Sequence, residues 1–340
     1  MLRSTTWHSR TPPPLRPAEK PSGTLSEKRL YVYRKTPKRF CKNALTFSLK
    51  RKCVLMETQG RFSKTQVRFF KAYIIPFRRH PEAIIPTSGC LSVFSSPYLL
   101  FLMKLTEKEA ARYNRQILLD EIGETGQFLL KQARVLIVGV GGLGSPIALY
   151  LAGAGVGTIG LIDDDTVSET NLQRQVLYSE PEIGLSKAEQ AKLRLQALNS
   201  DIRVEAWNER LTPQNAECLI ANYDIVVDGC DNFRTRYLIN DTCVRLDKVY
   251  VYGAIREFDG QVSVFNYQGS PDYRTLFPDE EEMLAMPHPS KAVLGVTPGV
   301  VGCVEASETM KVILGSPYVL SGKLWHIDLR ALESYVISLV

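Results

Sequence analysis

The chain has 340 residues, 44% of them hydrophobic, which is enough to bury one large α/β core or two ordinary ones and is normal for a globular protein. Its formal charge of +6 averages two unlike parts: Met1–Met103 carries 20 Lys and Arg against 4 Asp and Glu, leaving 22 against 32 for Lys104–Val340. Seven cysteines, odd in number and never spaced C-x-x-C, argue against a disulfide framework and against a zinc site of the usual spacing, and the four histidines form no cluster.

In chain order, residues 1–102 come first. Stretches such as "TPPPLRPAEKPSG" and "IIPFRRHPEAIIP" show no sustained helical or alternating period. They read as a disordered basic extension, or as a segment upstream of a natural start at Met103, ahead of a domain over 103–340. The tail lacks the glycine and aromatic pattern of a nucleic-acid module. The apolar run Cys90–Met103 contains Pro97 and is too short for a bilayer of about 30 Å. A cytoplasmic protein with no nucleic-acid or membrane partner is therefore expected.

The regular part starts at Arg134. "RVLIVGV" is a continuous β-branched run of the kind buried in a parallel sheet, and "GGLGSPIALYLAGAG" follows with helical spacing. "GTIGLIDDD", "DIRVEAWN", "YDIVVDGCD" and "VYVYGAI" predict further strands, separated by the helices "SKAEQAKLRLQALN", "PQNAECLIANY" and "NFRTRYLINDTCVRL". This alternation predicts an α/β, doubly wound, mostly parallel sheet with its ligand at the carboxyl ends of the strands. "REFDGQVSVFNY" breaks it and predicts added antiparallel strands, while "PGVVGCVEASETMKVIL" reads as a core helix with Cys303 on its apolar side.

The chemistry clusters at the predicted turns. Gly139, Gly141, Gly142 and Gly144 form a G-x-G-G-x-G turn that lets phosphate approach backbone N–H groups, for NAD or FAD as readily as for ATP. Asp163 closes the second strand, where a carboxylate accepts bonds from ribose hydroxyls. Asn171, Gln173 and Arg174 lie in the next loop, and an arginine there suits phosphoryl chemistry. Lys187 opens a helix, a poor place for a cation unless an anion is bound. Asp228 and Asp231 end another strand; Asp228 can cap the turn, so Asp231 is the expected Mg²⁺ residue. Cys230 between them reads as a small buried side chain. Upstream, Arg112 or Arg115 can be an arginine finger or a surface charge.

Together "RYNRQILL", "VLIVGVGGLGS", "YLAGAGVGTIGLIDDDTVSETNLQRQ", "IGLSK", "VVDGCDN" and "GAIREFDGQVSVF" resemble the HesA/MoeB/ThiF family, bacterial relatives of ubiquitin-activating enzymes, over Leu105 to about Leu329. The resemblance implies a Rossmann-like, ThiF-type fold and a homodimeric adenylyltransferase. Such an enzyme uses Mg-ATP to convert the C-terminal glycine carboxylate of a ubiquitin-like sulfur carrier, ending in Gly-Gly, into an acyl-adenylate for molybdopterin or thiamine-type sulfur transfer. It implies that the glycines around Gly142 cradle phosphate and that Asp163 binds ribose. Asn171, Arg174 and Lys187 would then meet the triphosphate, Asp231 would place magnesium, and Arg115 would be supplied in trans.

The chain also departs from that pattern. The family carries two cysteine pairs that bind zinc and often a cysteine in the crossover loop; here the first pair's positions are Asp272 and Thr275, the chain ends "ESYVISLV", and the nearest loop match is His288. Zinc and a covalent loop step are therefore not expected, whereas adenylation is. Activation of another carboxylate, on a peptide or a modified nucleoside, and a non-catalytic nucleotide-binding role are the alternatives.

Overall fold

The computed structural model describes residues 105–286 and 292–339. The expected extension and its boundary, Cys41, Cys53, Cys90 and His288 lie outside them. Three helices lead in: α1 (Glu107–Arg112), α2 (Asn114–Ile117) and α3 (Gly123–Gln132). The alternating region follows as β1 (Arg134–Val138), α4 (Gly144–Ala154), β2 (Thr158–Ile162), α5 (Lys187–Leu198), β3 (Arg203–Trp207), α6 (Ala216–Ile220), β4 (Ile225–Asp228), α7 (Phe233–Leu246) and β5 (Val249–Arg256). Then come β6 (Asp259–Phe265), α8 (Tyr273–Leu276), α9 (Glu280–Ala285), α10 (Val296–Ile313), β7 (Lys323–Asp328) and β8 (Glu333–Ser338).

All eight strands form one sheet in the order β3-β2-β1-β4-β5-β6-β7-β8. The first five are parallel and the last three are added antiparallel. The β-branched runs explain the parallel half: both faces are covered, and every residue of β2 is buried. Alternation within β1 sends Val135 and Ile137 into one core with Ile147, Leu151 and Val301, and Leu136 and Val138 into the other with Ile220, Tyr237 and Tyr250. Strand order reverses beside β1, whose neighbours are β2 and β4, and the carboxyl ends of these strands open the crevice where such folds hold ligands.

Some expected elements change in detail. The helix expected over "PQNAECLIANY" shortens to Ala216–Ile220, and the segment "EEEMLAMPHPSK" begins as α9. Cys303 is only half-buried; the sealed face of α10 instead carries Glu305, Glu308 and Thr309. Strands β7 and β8 complete the antiparallel part, and all six residues of β8, at the sheet edge, are exposed. Among the described residues no helix is long and apolar enough to cross a membrane.

Candidate functional site

The glycine turn leaves β1 through Gly139, whose φ of 88° and close approach to Gly229 O leave no room for a side chain. A Cβ on Gly144 would collide with Gly139 O, so α4 starts hard against the strand end. Pro298 of α10 packs over Gly142, and the N–H groups of Gly141 and Gly142 donate to no atom among the described residues. Two free donors at a helix start form an anion cradle.

Asp163 lies beside this turn. Its two oxygens accept Val140 N–H at 2.7 Å and Asp165 N–H at 2.8 Å. Burial raises its pKa, opposed by those two backbone bonds and the nearby Lys187 charge. Each oxygen keeps a lone pair, so the carboxylate both shapes the glycine turn and can still accept from a hydroxyl. Lys187, the first residue of α5, is buried with 4% exposure, and its Nζ lies 2.9 Å from Asp165 Oδ2. The carboxylate offsets a cation placed against the positive end of the helix. Tyr178 ties the two parts: its hydroxyl donates to Val140 O at 2.7 Å, with Lys187 O 3.2 Å away as a second acceptor.

The loop after β2 divides its polar residues between two roles. Arg174 lies along Gly142, where a Cβ would be 3.7 Å from its Cδ, and its Nη1 donates to Thr170 O at 3.0 Å. Asn171 caps the 3-10 turn Glu169–Asn171, its Oδ1 accepting Ser168 N–H at 3.3 Å. Gln173 is exposed and rests against Gly295, just ahead of α10.

At the end of β4 the two aspartates separate. Asp228 is fully buried; it accepts Cys230 N–H at 2.9 Å, Arg236 Nε–H at 3.1 Å and the Tyr250 hydroxyl at 2.7 Å. These bonds account for it as a structural group. Arg236 also donates to Cys230 O at 3.0 Å, fastening the loop that carries Asp231. Asp231 is exposed, and among the described residues its carboxylate accepts one hydrogen bond, from Asn232 Nδ2 at 3.4 Å. Its oxygens fit a hard divalent cation, and no protein cation pairs with it among the described residues. Arg210, 3.0 Å from Asp164 Oδ2, has its pKa raised first by that bond, with Asp231 among the further charges acting on it. Cys230 is held as a thiol, its pKa pushed well up by burial and then by Asp228.

Arg115 sits on α2 between two anchored neighbours. Tyr113 is buried and accepts Asn199 Nδ2–H at 2.8 Å, and Gln116 donates to Ala154 O at 3.1 Å. Arg115 itself is exposed, with no hydrogen bond or ion pair among the described residues. Arg112, by contrast, is tied to Leu198 O at 3.1 Å.

The positions that match the family's first cysteine pair, Asp272 and Thr275, form a helix cap. Asp272 Oδ1 accepts Thr275 N–H at 2.9 Å and the Thr275 hydroxyl at 2.8 Å, capping α8. A capping carboxylate paired with a threonine does not supply the donor set of a structural zinc site. Arg274 grips both Asp241 oxygens at 2.7 Å and Glu280 at 2.7 Å, and stacks 4.7 Å from the Tyr237 ring centroid. Ion pairs and hydrogen bonds thus fasten this segment to α7.

The sequence reading missed Gln175, Tyr178, Arg210 and Arg236. Gln175 closes the polar stretch after β2 and offered a signal by position; Arg236 and Arg210 offered none until their distant carboxylates were in place.

The ThiF family profile matches residues 113–338. The chain is 49% identical over 228 residues to the adenylyltransferase and sulfurtransferase MOCS3 of Culex quinquefasciatus, a match covering 67% of this chain and 52% of that protein. It thus spans about half the length of that relative. It is 48% identical over 238 residues to the sulfur carrier protein adenylyltransferase of Thermus thermophilus, covering 68% and 87%. Among solved structures it is similar to E. coli MccB with succinimide, at 25% identity and a TM-score of 0.60, covering 70% of this chain and 72% of that one.

Proposed function

The chain belongs to the ThiF family, and from that premise we propose that it is an ATP-dependent adenylyltransferase acting on the C-terminal glycine carboxylate of a ubiquitin-like sulfur carrier. What supports this reading is that the Gly141 and Gly142 N–H groups, unbonded among the described residues, Arg174, the Lys187–Asp165 pair and the exposed Asp231 all follow the carboxyl ends of the adjacent strands β2, β1 and β4. A hydride-transferring site has no need of that charge arrangement.

In the proposed reaction a carboxylate oxygen forms a bond to the α-phosphorus of ATP. The bond from that phosphorus to the bridging oxygen breaks, and pyrophosphate leaves with the electron pair. Two anions must be brought together, so alignment and charge neutralisation dominate. The glycine turn holds phosphate, Asp163 orients ribose, and Arg174 and Lys187 offset charge around the α-phosphate. Asp231 would hold Mg²⁺, which supplies further neutralisation of triphosphate oxygens. In a homodimer the unpartnered Arg115 would reach the neighbouring subunit's nucleotide. No zinc takes part, and the expected setting is the cytoplasm.

The test is ATP–pyrophosphate exchange by the full chain, with and without small Gly-Gly-ending carriers from the same genome. Exchange that requires a carrier is the expected result. Measurable Mg-ATP binding with no exchange for any carrier would overturn the carrier assignment, and exchange driven by a peptide or nucleoside carboxylate would replace it.

A further inference from the structure

Resting on the nucleotide-site reading above, we propose that Gln175 is a further nucleotide-contacting residue, its side-chain amide donating to a phosphate oxygen held over Gly141. Gln175 is 4% exposed. Its Oε1 is sealed from solvent with no hydrogen-bond partner among the described residues, and no bond satisfies its Nε2. Turning the amide over would bury an N–H₂ without an acceptor instead. The unpartnered Oε1 is a cost that native cores rarely carry without a use for the side chain, and the unbonded Nε2, which is not sealed, is the donor that side chain has to offer.

Its position indicates the use. A Cβ placed on Gly141 would be 3.5 Å from Gln175 Nε2 and 3.9 Å from its Cδ. Arg174 faces Gly142 in the same manner, so two successive side chains face two successive glycines of the cradle. The backbone around Gln175 is fixed: its N–H donates to Asn171 O at 2.9 Å, and its carbonyl accepts Tyr178 N–H at 3.1 Å. Tyr178 in turn grips Val140 in the glycine turn. The amide is thereby held beside Gly141 of the glycine turn.

The chemistry suits a polyphosphate. Arg174 supplies charge, whereas a neutral amide supplies a directed donor without adding charge to a cradle that already lies near Lys187. A small shift of the amide on binding would bring Nε2 onto a phosphate oxygen.

The experiment is calorimetric titration of the full chain with Mg-ATP and separately with adenosine, for wild type, Gln175→Met and Gln175→Glu. Methionine keeps the volume and removes the donor; glutamate keeps the shape and places a charge against phosphate. The expected result is ATP affinity lower by roughly tenfold for the first and roughly a hundredfold for the second, with adenosine affinity unchanged in both. Equal losses for ATP and adenosine, or ATP affinity within about twofold of wild type in both variants, would overturn the proposal. Should Gln175→Met not fold, the folded Gln175→Glu protein decides alone; should neither fold, wild-type titration with AMP against adenosine decides through the amide N–H exchange of residues 173–176, which must slow with AMP only. Wild type that binds neither ATP nor AMP would instead sink the adenylation reading itself.

Discussion

Asp228 and Asp231 are three residues apart at one strand end, yet their surroundings give them opposite work. Asp228 is a buried anion with three donors, and removing its charge leaves Arg236 buried without its counter-ion. Asp228→Asn is expected to lower unfolding free energy by about 3 kcal/mol or more, read by denaturant titration. Asp231→Ala is expected to leave stability within about 0.5 kcal/mol and to reduce carrier adenylation roughly a hundredfold, with a raised Mg²⁺ requirement. Adenylation retained by that variant would remove Asp231 from the metal role. Glu305 shows the same dependence on surroundings. Burial, and then Asp228, raises its pKa well above the ordinary 4.5, and both its oxygens lack partners among the described residues. The folded state keeps this proton after the unfolded chain has lost it, so the group lowers stability as pH rises above 4.5 toward its folded pKa. Glu305→Gln is therefore expected to melt higher than wild type at pH 8, with the difference closing as pH falls to 4.

At the scale of elements, α8 and α9 are held to α7 by Arg274 between Asp241 and Glu280 and by the Asp272–Thr275 cap. The Arg274 hydrogen bonds hold the Asp241 carboxyl below its ordinary value of 3.8 against partial burial. That contribution is present above pH 3.8 and is lost as pH falls through the folded pKa. The partners are about one-third exposed, so the clamp acts locally more than globally. Arg274→Met is expected to speed amide exchange over residues 273–285 while shifting the melting temperature by only about 2 °C. Chelator should leave both unchanged; a chelator-induced drop in melting temperature would restore a structural metal. The order of strands and helices was legible here because each β-branched run and each glycine turn declares itself within a few residues. The clamp was not, because Asp241 and Arg274 are 33 positions apart and only the fold brings them together.

At the scale of the molecule, the helices α4 and α10 present Tyr150 and Val296, each 61% exposed, and Leu118 and Leu119 just after α2 are 66% and 52% exposed. Large apolar side chains left in water, Leu118 and Leu119 among them within a few residues of an Arg115 whose side chain has no partner among the described residues, fit burial against a second copy. Sedimentation is expected to give a dimer. Mixing Arg115→Ala with Asp231→Ala subunits, each inactive alone, should recover about a quarter of wild-type exchange, since half the dimers then hold one intact composite site. No recovery after demonstrated subunit exchange would place Arg115 outside the reaction.

The sequence by itself determined the alternating α/β architecture, the glycine turn, the antiparallel addition and the run of charged residues at the strand ends, since these depend on local periodicity, backbone freedom and spacing. The tertiary structure alone decided which protein groups each of them meets: Asp228 meets Arg236 and Tyr250, Lys187 meets Asp165, and the Asn171 Oδ1 meets its own turn. It alone left the Gln175 Oε1 and both Glu305 carboxylate oxygens buried without partners among the described residues. A side chain's charge is written in the sequence, but its desolvation and its counter-ions are fixed only when distant segments pack.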